Sequence, residues 1–487
     1  MKFSCSFLFA YAFLLFSLPS KADNYTVTID GKQPRLAKVV ATMKPKGKVI
    51  LMNEQNVHGL KGGWAGFVEN ITASDPSGQK YQIVKKANSS WELQDYTDGY
   101  ITLSYDVRLG HDVVIPKIKS GDNGAAYATN DGVMWAGRAL FISGIPSTDV
   151  TVEFNLPEKW AVTTPWEESN NSKFLFITDG TKDLLNSAFF AGTHRNESLT
   201  TGNISLRMAF SGEYTLKMSK DITTKVSRFF KYYAEQYDSP LKSRMVLIVS
   251  DRNDGGGEVM GKAISISVGP YSKEQMDKKP GMPKGIARLI AHEVFHGVAF
   301  NLLEVDDSGK NAPSFSWFNE GFGAEYASQI ALLRTGLKNE SEFLEGIVYR
   351  MNEYITEVDG KLTLIKAGAD KSDKSTTVYW GGLMAAMSLD FLIREQTNGE
   401  SNLDELWRYL LKKYPKGGKV MTLSAIYQST DELYGKSISL ALKEYTDTPK
   451  VIPFYENAQL MGLKYDGETL SRSSTATKRQ KRLWQQF

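Results

Sequence analysis

Seven short runs rich in β-branched and aromatic residues fill the stretch from Tyr25 to Ser211, and then the pattern stops. They are YTVTI, KVILM, YQIVKK, YITLSYDVRL, VTVEFNL, KFLFIT and SLRMAF, separated by turn clusters such as DPSG, SGDNG and NESLTTGN. Runs of this length, punctuated by Gly, Asn, Asp and Pro, form strands that must bury one face against a second layer. They predict an N-terminal β-sandwich over residues 23–212. His58, His111 and His194 are scattered among its turns, which suits surface or packing roles better than metal ligation.

Around residue 220 the texture changes. DITTKVSRFFKYYAEQY (221–237) has helical periodicity behind a Ser/Thr/Asp-type start, and RMVLIVSD (244–251) reads as a buried strand. DGGGEVMG makes a glycine turn before a further strand, KAISISV. A helix opens at Pro283 and runs through IARLIAHEVFHGVAFNLL, and another lies around WFNEGFGAEYASQIALLR. Beyond it, VYWGGLMAAMSLDFLIREQ, NLDELWRYLLKKY and LSAIYQSTDELYG fit helices with apolar faces, the last stopped by Gly435. The expected class is α+β and multidomain, with a mixed domain over 213–335 and a helical one over 336–468.

Two terminal segments stand apart. Residues 1–22 combine Lys2, an apolar run from Phe7 to Leu18, and small residues at Ser20 and Ala22. That composition reads as a secretory signal peptide cleaved after Ala22, because a run this short does not span a bilayer. A secreted or periplasmic location is expected, with no membrane span in the mature chain. The single cysteine, Cys5, falls inside the leader, so the mature chain has no disulfides and any metal site must use histidine and carboxylate. The C-terminal segment 469–487 holds five cations and no acid after residue 470, and reads as a frayed basic tail. Those cations and the two leader lysines more than account for the net charge of +3. The body is therefore acidic, and nucleic acid is not an expected partner.

The chemistry concentrates in HEVFH, residues 292–296, which holds two of only five histidines. On a helix, positions i and i+4 share a face, so His292 and His296 can reach one metal ion, with Glu293 placed to act on a water beside it. The surrounding helix is apolar on nearly every side, and buried imidazoles are costly without partners. A third ligand is needed, and no histidine follows His296. The carboxylate candidates are Glu304, Asp306, Asp307, Glu320 and Glu325. Glu304 lies too far along the helix axis, and the two aspartates sit in a polar loop. Glu320, near the start of the next helix, is placed to complete a two-His, one-Glu zinc site. Glu325 is either a surface carboxylate or a residue orienting a ligating histidine.

HEVFH followed by WFNEGF resembles the gluzincin zinc metallopeptidases, and within them the glycyl aminopeptidase family. The order of parts is similar: a β domain, a GGxE-like turn (Gly256, Gly257, Glu258), a Tyr-x-x-Gly at Tyr379, then LDELW. The resemblance covers roughly residues 24 to 465 and implies a thermolysin-like catalytic domain, one zinc ion and peptide substrates. It further implies Tyr379 as an oxyanion donor and Glu258 as the acid that holds a substrate's free amine, with small N-terminal residues such as Gly or Ala favoured. Two departures stand out. The chain stops too soon after residue 465 for the PDZ domain that often ends that family, and its glycine turn reads GGGEVMG. The rival readings are a zinc endopeptidase of the same class and an inactive secreted binding protein on the same fold. The sequence is silent on oligomeric state.

Overall fold

The computed structural model describes residues 22–52, 63–86, 89–110, 126–144, 146–170, 172–238, 241–252, 256–269, 281–306, 315–358 and 360–487. Nearly all of the segment read as a leader (residues 1–21, with Cys5), and also His58, His111 and Asp307, lie outside the described residues.

The N-terminal domain is a β-sandwich. An eight-stranded sheet runs, in spatial order, through strands 167–168, 175–178, 150–155, 23–29, 36–43, 101–108, 68–74 and 80–81. Two four-stranded sheets share its core. Ile101–Arg108 shows why these residues make strands: Ile101, Leu103, Tyr105 and Val107 are buried, while their neighbours face outward. Aromatic contacts knit the layers, with Tyr25 edge-on to Phe141 at 5.1 Å and Phe154 edge-on to Phe189 at 4.8 Å. His194 is a buried packing residue whose Nε2 lies 2.7 Å from Thr163 Oγ1.

The next domain begins earlier than residue 213. Strands Arg195–Thr201 and Ile204–Ser211 pair with each other, and the second runs parallel to Ser243–Asp251. SLRMAF therefore belongs to a five-stranded sheet completed by Ala263–Val268 and the edge strand Gly256–Met260. A local apolar run does not reveal which sheet it joins, so the sequence-based boundary was misplaced. The crossover helix Glu213–Tyr237 also starts eight residues before the predicted 221. Its first amides, Tyr214 N and Thr215 N, donate to Asp251 on another strand, a cap that adjacent sequence does not contain.

The boundary expected at residue 335 is not a boundary in the core. One continuous apolar cluster runs from Ile204 to Phe487 and takes in both the mixed sheet and the C-terminal helices. A smaller cluster joins the sandwich to this body, with Tyr127, Met134, Ala136, Ala188 and Phe190 against Ala209, Val246, Ile248, Met260 and Ala263.

The C-terminal segment is ordered, contrary to the expectation of a frayed tail. Lys478–Gln486 is a helix with a Thr477/Gln480 capping box. Leu483, Trp484 and Phe487 form its apolar stripe, and Phe487 packs on Phe391 at 5.1 Å. The cations that suggested disorder are engaged as well: Arg479 pairs with Glu395 at 2.6 Å and Arg472 with Glu340.

Candidate active site

Helix Lys284–Val298 follows Pro283, which occupies the cap position, and is buried along its second half. His292, Glu293 and His296 are all buried on it, and the two imidazole centroids lie 4.9 Å apart. The third group arrives on a π-helical segment, Trp317–Glu325, that continues as helix Tyr326–Arg334. Glu320 Oε2 lies 3.0 Å from His292 Nε2 and 3.4 Å from His296 Nε2. Among the described residues, this trio is the one group of His, Cys, Asp or Glu whose ligand atoms converge closely enough to hold a metal, all within 4.8 Å of one another.

The donor set fits zinc, two imidazole nitrogens and one carboxylate oxygen with room for a fourth ligand. The outer contacts fit as well. His292 Nδ1 lies 3.1 Å from Glu325 Oε1, and His296 Nδ1 lies 2.8 Å from Asn319 Oδ1. With Nδ1 turned to these oxygens, each ring presents Nε2 to the centre. Glu325 is itself ion-paired with Arg288. Burial opposes its ionisation, but Arg288 and His292 outweigh burial and hold the carboxyl at about 2. Glu320 is likewise pulled well below the carboxylate range: burial raises it, while His296, Lys371 and His292 prevail.

Tyr379 comes from a second π-helical segment, Thr377–Gly381, at the head of helix Gly382–Gln396. Its ring stacks on His292 with centroids 5.8 Å apart. Burial, and then the charges of Glu320, Glu293 and Glu325, push the phenol far above its ordinary range, so it stays protonated. Both π segments carry site residues, and such bulges widen the helical turn where a side chain must be re-aimed.

The edge strand Gly256–Met260 closes another side. A Cβ at Gly257 would come 3.1 Å from Glu293 Oε1 and 2.8 Å from Ile266 Cδ1, so the glycine lets the strand reach the buried acid. Glu258 follows it and, by the two-residue alternation of a strand, faces the opposite side. There it forms an ion pair with Arg138 of the sandwich. The structure thus brings together His292, Glu293, His296, Glu320, Glu325 and Tyr379, and places Glu258 on the domain interface, paired with Arg138. Glu304 instead accepts from Gly417 N at 2.9 Å, and Asp306 is not part of the histidine cluster. Asn319, Arg288 and Lys371 were not anticipated. Asn319 directly precedes Glu320, which was a usable signal, whereas Lys371 and Arg288 carry none.

Comparison with known proteins agrees with this architecture. Residues 60–193 match the Peptidase M61 N-terminal domain, ending where the sandwich strands end. No curated protein matches the sequence. An aminopeptidase N family protein from Idiomarina loihiensis superposes with a TM-score of 0.73 at 16% identity, covering 91% of this chain and 78% of that one. An M1 zinc metallopeptidase from Deinococcus radiodurans gives a TM-score of 0.57 at 11% identity, covering 89% of this chain and 95% of that one. The chain has the multidomain α+β fold of M1 aminopeptidase-like structures, with a sandwich similar to the Peptidase M61 N-terminal domain.

Proposed function

We propose that this protein is a zinc metallopeptidase, acting as an exported aminopeptidase on peptides with small N-terminal residues. The observation that carries the metallopeptidase reading is the convergence of His292 Nε2, His296 Nε2 and Glu320 Oε2 beside buried Glu293. Zinc, held by those three residues, would supply a Lewis acid and lower the pKa of a bound water.

The chain's own groups divide the rest. Glu293 takes a proton from the attacking water as its oxygen bonds to the scissile carbonyl carbon. It then delivers that proton to the departing nitrogen as the C–N bond breaks. Tyr379, kept neutral by burial and by its carboxylate neighbours, donates a hydrogen bond to the developing oxyanion. Glu325 and Asn319 hold the imidazoles in place.

The preference for a free amine rests on Glu258 and on the glycyl aminopeptidase resemblance. An endopeptidase is the second reading, favoured by one observation: Glu258 already has a cation, Arg138, on its carboxylate. Export rests on the leader-like residues 1–22; no described helix is long and apolar enough to cross a membrane.

The test is hydrolysis of one alanine-led peptide with its amine free and then acetylated, each with zinc stripped and restored. Zinc-dependent cleavage of the free form alone supports the aminopeptidase. Equal cleavage of both makes it an endopeptidase. Zinc-replete protein that cleaves neither refutes the peptidase reading. The variant E293Q should keep its zinc and lose at least about 100-fold in kcat.

A further inference from the structure

Lys371 has no part in the reading above, yet it touches the third ligand. It sits in the turn between helix Leu364–Ala369 and the π segment that carries Tyr379. Its ammonium is ion-paired with Glu320 Oε1, while Oε2 is the oxygen that faces both imidazoles. The same nitrogen lies 5.4 Å from the centroid of the Tyr379 ring. The two oxygens of Glu320 are therefore not equivalent: one is engaged by a cation, the other turned to the histidines.

A buried carboxylate next to a metal can ligate through one oxygen or two. A charge-assisted hydrogen bond to one oxygen takes a lone pair out of that competition. Lys371 suits this task because its side chain is 40% exposed and keeps part of its hydration, while Glu320 is at 10%. Without the ammonium, Oε1 would lose its cationic partner and be free to turn toward a metal ion held by the two imidazoles.

We propose that Lys371 is a positioning residue that holds Glu320 to one-oxygen ligation, so that the coordination position a substrate needs stays open. The inference rests on the zinc-site reading above.

It is tested by titrating cobalt(II) into metal-stripped wild type and into K371M, K371Q and K371R, reading visible absorption and affinity against a chelator. Thermal unfolding checks the fold of each. Wild type and K371R should give the intense absorption of a four-coordinate site. K371M and K371Q should lose about half of it or more, as a five-coordinate site does, with metal affinity shifted by about tenfold. In the zinc forms, kcat should fall about tenfold or more with KM little changed, since the open position rather than peptide binding is lost. A K371M or K371Q spectrum that superposes on wild type overturns this inference alone. Wild type that takes up no cobalt overturns the metal site as well.

Discussion

Gly321 and Gly382 bring two helix backbones into direct contact. A Cβ on Gly321 would lie 2.7 Å from Gly382 Cα and 2.3 Å from Val378 O, and one on Gly382 would lie 2.8 Å from Gly321 Cα. Glu320 and Tyr379 hang from the two segments that meet here, so this contact sets where the ligand stands relative to the phenol.

A methyl group at either glycine has only backbone to push against. G321A and G382A should each cost about 1–3 kcal/mol from overpacking. Metal affinity should fall with stability, because Glu320 is displaced with its segment. Urea denaturation and chelator competition measure the two losses, and an alanine accommodated without either would show that the segments can separate.

Glu325 links Arg288 to His292 Nδ1. E325Q removes the charge but keeps the shape, so zinc affinity should weaken by roughly 10- to 100-fold. Competition with a chromogenic chelator reads this directly. An affinity equal to wild type would make Glu325 a partner of Arg288 alone.

Burial pushes His194 down to about 4, against the weaker opposing effects of Gly192 and Asp131. A depressed histidine is neutral in the fold and charged when unfolded below its ordinary 6.5. The unfolded chain therefore binds the extra proton as pH falls from 6.5 to 4. Its contribution is complete above pH 6.5 and lost through that window, amounting to about 3 kcal/mol. Urea unfolding at intervals from pH 7.5 to 4 should show a steeper loss in wild type than in H194Q. Parallel curves would remove His194 from the account.

The C-terminal helix is anchored by Leu483, which is fully buried. L483A should destabilise the protein by about 2–5 kcal/mol. Denaturation midpoints decide this, since a substitution in a loose tail would leave them unmoved.

The histidines were legible because a helix converts a spacing of four into one face, whatever surrounds it. Glu320 was legible for a related reason: the apolar helix after HEVFH had to pack back on the first. The strands of the sandwich were legible from two-residue alternation, as in Ile101–Arg108. The affiliation of SLRMAF was not, because strand pairing is set by partners distant in the chain. The tail misled because its cations dominate the composition while three apolar residues on one helical face determine its position.

The sequence by itself determined the chemistry on offer: a histidine pair, an adjacent acid, a downstream glutamate, and no cysteine after Cys5. Local periodicity is enough for that, since it depends only on the geometry of a single element. The tertiary structure decided what each group touches. It put Glu325 on His292, Asn319 on His296, Lys371 on Glu320 and Arg138 on Glu258. Those partners lie from 23 to 120 residues apart in the chain, and only the packing of sheet, helices and sandwich around shared cores brings such distances to a hydrogen bond.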